Sequence, residues 1–227
     1  MPTALVTGSN RGIGLEFVRQ YAAEGWRVHA TCRDPARATA LRAIEGDVRI
    51  HLLEVTDPAS RAALARTLGS EGIDILINNA GLYGPKGVKL DALDYKLWEE
   101  IIRINAIGPV ALTAALVNNV AKSNRKLVIS LSTGMASIAR ATAGGEYAYR
   151  SSKAALNMAM KSLAGELAPR GIVCVMLSPG WVKTDMGGPQ APTSVEDSVH
   201  GMRKVIAGLG PKDSGRFLNF EGHEIPW

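Results

Sequence analysis

The first fourteen residues constrain the fold of this chain more than any other stretch. A strand-like run, Thr3-Ala4-Leu5-Val6-Thr7, leads directly into Gly8-Ser9-Asn10-Arg11-Gly12-Ile13-Gly14, and a helix-forming segment opens at Ile13. Gly8 permits a tight turn, Gly12 lets backbone approach a pyrophosphate, and Gly14 lets the helix pack closely on the strand. The helix N-terminus then offers unpaired N–H groups and a positive dipole end to phosphates. A purely structural turn would use the same glycines. Their place in a strand–turn–helix favours a dinucleotide site built on Gly8, Ser9, Asn10, Arg11, Gly12, Ile13 and Gly14.

The rest of the chain repeats the alternation. Strands are predicted at 3–7, 27–32, 48–55, 73–77, 126–132, 172–178 and 216–219. Helices are predicted at 13–24, 35–44, 58–70, 95–120, 148–168 and 195–208. Leu127-Val128-Ile129 and Val173-Cys174-Val175-Met176-Leu177 are nearly continuous apolar runs, as parallel strands covered on both faces require. The pattern predicts an α/β chain with a doubly wound parallel sheet and helices on both faces. No linker or internal repeat divides the chain, so residues 1–227 are read as one dinucleotide-binding and catalytic domain. Loops after strand C-termini line the crevice of such a sheet. The segments 83–95, 134–146 and 179–194 are the candidate substrate loops.

Composition removes several alternatives. The 227 residues are 46% hydrophobic and 21% charged, which suits a packed globular chain. No unbroken apolar run reaches the roughly 18 residues of a bilayer span, and no leader-like segment opens the sequence. Those features predict a cytoplasmic protein with no membrane partner. Two cysteines, Cys32 and Cys174, and four scattered histidines give no metal-ligand spacing, so no metal is expected. The histidines are expected at the surface or at strand ends. The net charge of +5 comes from dispersed bases, which argues against nucleic acid and for an anionic ligand.

Two clusters speak to chemistry. Tyr149 and Lys153 are four apart in a helix-forming run and should share one face. A phenol has a pKa of about 10; a neighbouring ammonium is expected to lower it and make Tyr149 a general acid/base. At the end of the second strand, an acidic residue would select NAD by binding its ribose 2′-OH. Cys32-Arg33 stands there instead, with Arg11 in the glycine turn. Two guanidinium groups suit a 2′-phosphate and predict NADP(H). Asp34 is expected to cap the helix entered at Pro35.

With Thr7-Gly8-x-x-x-Gly12-x-Gly14, Asn78-Asn79-Ala80-Gly81, Tyr149-x-x-x-Lys153 and Pro179-Gly180-x-x-x-Thr184 in order, the chain resembles the short-chain dehydrogenase/reductase family from Thr3 to Trp227. The runs Gly144–Arg150 and Pro179–Gly188 look most like its C-factor-type and sniffer-like carbonyl reductase branch. The resemblance implies a Rossmann fold in which Tyr149 exchanges a proton with the substrate oxygen. Lys153 would lower its pKa and hold the nicotinamide ribose, and Asn105 would help position a water linking Lys153 to solvent. Val55, Asn79, Ala80, Gly81, Pro179, Gly180, Val182 and Thr184 would join the glycine turn and Arg33 around the cofactor.

Two positions depart from the family pattern. The serine that binds the substrate carbonyl after the fifth strand falls, aligned without gaps, on Thr133. Its hydroxyl can make the same hydrogen bond; Ser132 is the alternative and Ser137 a third. Glu54 replaces the aspartate usual before Val55. The leading expectation is an NADPH-dependent carbonyl reductase, or alcohol dehydrogenase in reverse, acting on a small-molecule carbonyl or alcohol. The alternative is a signalling or regulatory nucleotide-binding protein of the C-factor kind. Family members dimerise or tetramerise through two long helices, here near 95–120 and 148–168, although monomers also occur.

Overall fold

A computed structural model describes residues 1–227. Seven strands form one sheet: β1 Thr3–Val6, β2 Arg27–Cys32, β3 Val48–Leu52, β4 Ile75–Asn78, β5 Leu127–Leu131, β6 Val173–Ser178 and β7 Phe217–Asn219. All pair in parallel in the order β3-β2-β1-β4-β5-β6-β7. The helices are α1 Gly12–Ala23, α2 Thr39–Arg42, α3 Pro58–Leu68, α4 Tyr95–Ile102, α5 Gly108–Lys122, α6 Tyr147–Leu167 and α7 Val195–Gly208. Strand order reverses between β1 and β4, the position where an open parallel sheet leaves a crevice at its carboxyl edge.

The predicted double winding follows from side-chain alternation. Along β5, Leu127, Ile129 and Leu131 enter one core with Phe17 and Val18 of α1 and Met202 and Ile206 of α7. Val128 enters the opposite core with Leu64 of α3, Leu112 and Leu116 of α5, and Leu156 and Met160 of α6. Burying one such leucine contributes about 1.5–3 kcal/mol. Both layers are therefore anchored by the same strand.

Three expectations change. The predicted 95–120 helix is two helices joined by a π-turn at Arg103–Ile107, where the Gly108 N–H reaches the Arg103 carbonyl. Pro109 explains the break: it has no N–H, so the α-helical donor to the Asn105 carbonyl does not exist. The predicted 35–44 helix is a 3₁₀ turn at Pro35–Arg37 followed by α2, because the chain leaves helical backbone at buried Ala38. Finally, Tyr95–Lys122 is long and apolar enough to cross a membrane by length and composition, with mean hydropathy 1.5. Arg103 and Asn105 interrupt any unbroken apolar run but not the average. Leu112, Leu116 and Val120 of this segment are fully buried in the core.

His29 also departs from expectation, because β2 carries it inward and it is buried. Its Nδ1 lies 2.9 Å from His51 Nε2 on β3, and the pair is ringed by Arg27, Asp47, Arg49 and Glu71. Burial, then the neighbouring His29, pulls His51 down to about 4; burial also lowers His29. Both imidazoles are neutral in the folded chain and protonate near 6.5 once unfolded. The His51 contribution is complete above pH 6.5 and is lost as pH falls from there toward about 4, with His29 acting in the same direction. Thermal melting across that window should show a falling Tm, and a shallower fall in His51→Gln. An equal fall in the variant would remove His51 from the account.

Candidate active site

The crevice is shaped where β1 and β4 end side by side. Thr7 Oγ1 accepts the N–H groups of Asn79 and Ala80, both at 2.9 Å. Asn79 Nδ2 returns hydrogen bonds to the Thr7 carbonyl at 2.7 Å and the Gly8 carbonyl at 3.0 Å. This close crossing explains two glycines. A Cβ on Gly8 would lie 2.9 Å from Ala80 Cα, and Gly8 has φ +62; one on Gly14 would lie 2.5 Å from Asn79 Nδ2. Asn79 thus fixes the glycine turn with its side-chain amide nitrogen.

At Gly12 the surroundings differ. A Cβ there would meet only Thr184, at 3.6 Å, so the turn is open toward the loop after β6. Helix α1 begins with no side-chain cap and no acidic residue in its first turn. Its N–H groups and dipole form an anion-binding end with no resident carboxylate. The residues present fit a dinucleotide pyrophosphate.

The other cofactor candidates divide by exposure. Asn10, Arg11, Arg33, Gly81 and Gly180 are exposed and Gly8, Gly12, Ile13, Asn79, Ala80, Pro179 and Thr184 half-buried at the carboxyl edge. Ser9 is fully buried, its hydroxyl bonded to the Thr31 carbonyl at 3.0 Å. The side chains of Val55 and Val182 are likewise buried, so these three sites offer backbone groups. Asp34 caps the Pro35 turn through the Arg37 N–H at 3.2 Å, as expected. Arg33 makes no ion pair, whereas Arg11 pairs with Asp185 of the third loop at 2.7 Å.

Tyr149 and Lys153 are both buried on α6. Lys153 Nζ lies 3.6 Å from where a Gly81 Cβ would be, which brings the helix pair to the β4 loop. Its ammonium donates to the Leu131 carbonyl at 2.7 Å, and burial lowers it to about 8. The expected effect on Tyr149 is reversed in this arrangement. Burial, seconded by Tyr83, pushes the Tyr149 phenol well above its ordinary value. The lysine charge is directed at Leu131, so desolvation dominates the phenol.

Asn105 is fully buried in the π-turn and its amide is used on every side. Oδ1 accepts the Leu82 N–H at 2.8 Å, while Nδ2 donates to the Leu82 carbonyl at 2.7 Å and to Ser152 Oγ at 2.9 Å. Ser152 Oγ in turn donates to the Tyr149 carbonyl at 2.7 Å. This side chain ties the β4 loop to the Tyr149 helix, and Pro109 leaves the Asn105 backbone carbonyl without its α-helical donor. Sequence reasoning missed Thr7, Leu82 and Ser152 as supports. The Gly108-Pro109 pair was a readable sign of the broken helix.

The two hydroxyl candidates separate. Ser132 is buried and donates to Asn157 Oδ1 at 2.7 Å. Thr133 is half-buried and accepts the Met135 N–H at 3.3 Å, opening the 3₁₀ turn at Gly134–Ala136. Ser137 is held by the carbonyls of Pro226 and Trp227, away from this role.

A family model described as short chain dehydrogenase matches residues 2–194. The chain is 46% identical over 165 residues to C-signal of Myxococcus xanthus, covering 73% of this chain and 99% of that protein. The carbonyl reductase Sniffer of D. melanogaster superposes with TM-score 0.94 at 33% identity, covering both chains completely. An NADPH-bound carbonyl reductase from chicken fatty liver superposes with TM-score 0.93 at 39% identity, covering 100% of this chain and 99% of the other.

Asn157 Nδ2 already lacks a partner, so losing the Ser132 hydroxyl would strand the other end of the same amide. Ser132→Ala should cost about 1–3 kcal/mol, a Tm drop of roughly 2–10 °C for a chain of this size. Thr133→Ala should lower Tm by less. Thermal melting of the two variants decides it, and the reverse ranking would contradict the assignment of Ser132 as the structural hydroxyl.

Proposed function

The chain belongs to the short-chain dehydrogenase family, and from that premise we propose that it is an NADPH-dependent carbonyl reductase. The observation that carries this reading is the buried Tyr149 phenol beside Lys153, at the mouth of a crevice that fits a dinucleotide. The carbonyl reductases of matching fold, one of them NADPH-bound, support it. NADPH, when bound, supplies the hydride.

The chain's own residues do the rest. The glycine turn and the α1 N-terminus would hold the pyrophosphate, and the free guanidinium of Arg33 a 2′-phosphate. Arg11 would assist after leaving Asp185. Lys153 has further ammonium donors beyond the one that Leu131 takes, and these would hold ribose hydroxyls. Thr133, whose hydroxyl is less enclosed than that of Ser132, would bind the substrate carbonyl. Tyr149 donates the proton. A phenol raised by burial is fully protonated at neutral pH, which suits reduction and makes the reverse oxidation the harder direction.

We read the substrate as a small molecule and the setting as cytoplasmic. The signalling alternative has one observation in its favour, the 46% identity to C-signal; the Tyr149→Phe variant separates a role that needs turnover from one that does not.

The direct test is NADPH oxidation with a panel of activated ketones and aldehydes. Tyr149→Phe should lower kcat by at least roughly 100-fold, the lower bound for losing a general acid, with NADPH fluorescence titration still showing binding. Undiminished turnover would sink the mechanism. Arg33→Asp should move the NADPH-to-NADH ratio of kcat/KM about 10–100-fold toward NADH, the loss of one charge-assisted hydrogen bond. An unmoved ratio would assign the phosphate to other residues.

A further inference from the structure

Tyr83 lies just beyond the Asn78–Gly81 motif, in the first substrate loop, and has no part in the mechanism above. Its ring stacks on the Tyr149 ring with centroids 4.2 Å apart and planes 28° from parallel. Aromatic stacking of this kind is an attractive, orienting contact. Its hydroxyl points to Met135 Sδ at 3.9 Å, in the loop after β5. The ring therefore bridges two loops directly above the phenol.

Three further features fix it there. Leu82, its neighbour, is held by Asn105 through both backbone groups, and Asn105 continues through Ser152 to the Tyr149 carbonyl. The two rings thus share one chain of hydrogen bonds. On the other side, Glu146 accepts the Gly87 N–H at 3.0 Å and lies close enough to Tyr83 to raise its phenol, after burial. Glu146 does this from left-handed backbone, φ 52, immediately before α6. A non-glycine residue is held there only where its surroundings demand it. Lys86, 5.4 Å above the Tyr83 ring, donates to the Met186 carbonyl and ties the same loop to the third one.

We propose that Tyr83 is a positioning residue for Tyr149: its ring closes one face of the acid/base phenol, keeps water from it, and leaves the hydroxyl edge as the approach for a carbonyl. The inference rests on the reading of Tyr149 as proton donor. Tyr83 is itself a neutral phenol at working pH, so it acts as a cover and not as a charge. Its aromatic ring is what the role requires; its hydroxyl secures the loop.

The experiment compares Tyr83→Ala and Tyr83→Phe with the wild-type enzyme in kcat for NADPH-driven reduction and in the ionisation of Tyr149. Opening the face to water should lower kcat roughly twofold to tenfold, the rate equivalent of one aromatic pair. It should also bring the Tyr149 phenol down toward its ordinary value, because the less buried phenol ionises sooner. Tyr83→Phe should restore both, and NADPH affinity should stay unchanged throughout. Tyr83→Leu, which keeps apolar bulk, should fall between them and serves if the alanine variant folds poorly. An alanine or leucine variant whose Tyr149 ionises at the same pH as the wild type's overturns the proposal, even if kcat drops. Titration of labelled tyrosine ζ-carbons by NMR, with Tyr149 assigned from Tyr149→Phe, reads the same ionisation without turnover. If the wild type reduces no carbonyl, the reductase reading fails by itself, and an unmoved Tyr149 ionisation in Tyr83→Ala overturns the cover.

Discussion

The hydrogen bonds crossing from Thr7 and Gly8 to Asn79 and Ala80 hold the rest of the site in register. They join β1 to β4 at the one place where the order of the sheet reverses. Parallel strands alone would let the two loops diverge there. Thr7 Oγ1 accepts two backbone N–H groups that have left the ladder, and Asn79 returns its amide to two carbonyls. The glycine turn is thereby pressed against Ala80, and a side chain at Gly8 or Gly14 has no room. On the far side of the same lock, Gly81 carries the chain to Asn105 and Lys153.

A second support acts on the helix that carries Tyr149 and Lys153. Pro109 deprives the Asn105 carbonyl of its helical donor, and the helix answers with a π-turn that sets the Asn105 side chain deep in the core. A buried amide is costly unless every group is paired. Asn105 uses both amide donors and its oxygen along one line, from Leu82 to Ser152 to Tyr149. The position of the Tyr149 helix against the β4 loop is therefore set by hydrogen bonds with defined directions. Apolar packing alone would leave it free to slide.

Much of this was legible in the sequence because its signals are local. The strand–turn–helix at Thr3–Gly14, the apolar runs of β5 and β6, and the cap at Asp34 each depend on neighbours within a few residues. The Tyr149–Lys153 spacing was readable for the same reason. The ionisation of Tyr149 was not. It depends on Tyr83, sixty-six positions away by residue number, and on an ammonium directed at Leu131. Helical spacing says that two side chains share a face, but not which acceptor the longer one reaches. His29 was misplaced on similar grounds: both faces of β2 are covered, and the register with β3, which sets His29 opposite Arg49, leaves His51 as its diagonal neighbour.

Burial moves the two members of the proposed acid/base pair in opposite directions, the phenol up and the ammonium down to about 8. Both shifts favour the uncharged form, and this is the signature of a site from which water is largely excluded. In such a site the proton on Tyr149 has few competitors, so its transfer is governed by what approaches the hydroxyl edge. Lys153 remains mostly protonated at pH 7 with a pKa near 8, close enough to neutrality to exchange its proton readily. A phenol raised too far would be a weak acid. In the proposed reduction the pair therefore works only if proton transfer is coupled to charge developing on the carbonyl oxygen, where a hydroxyl and an ammonium held at fixed distances would stabilise the transition state more than the ground state. That is the physical reason for holding the loops above Tyr149 with directional bonds: the chemistry depends less on the resting acidity of the phenol than on where its proton points.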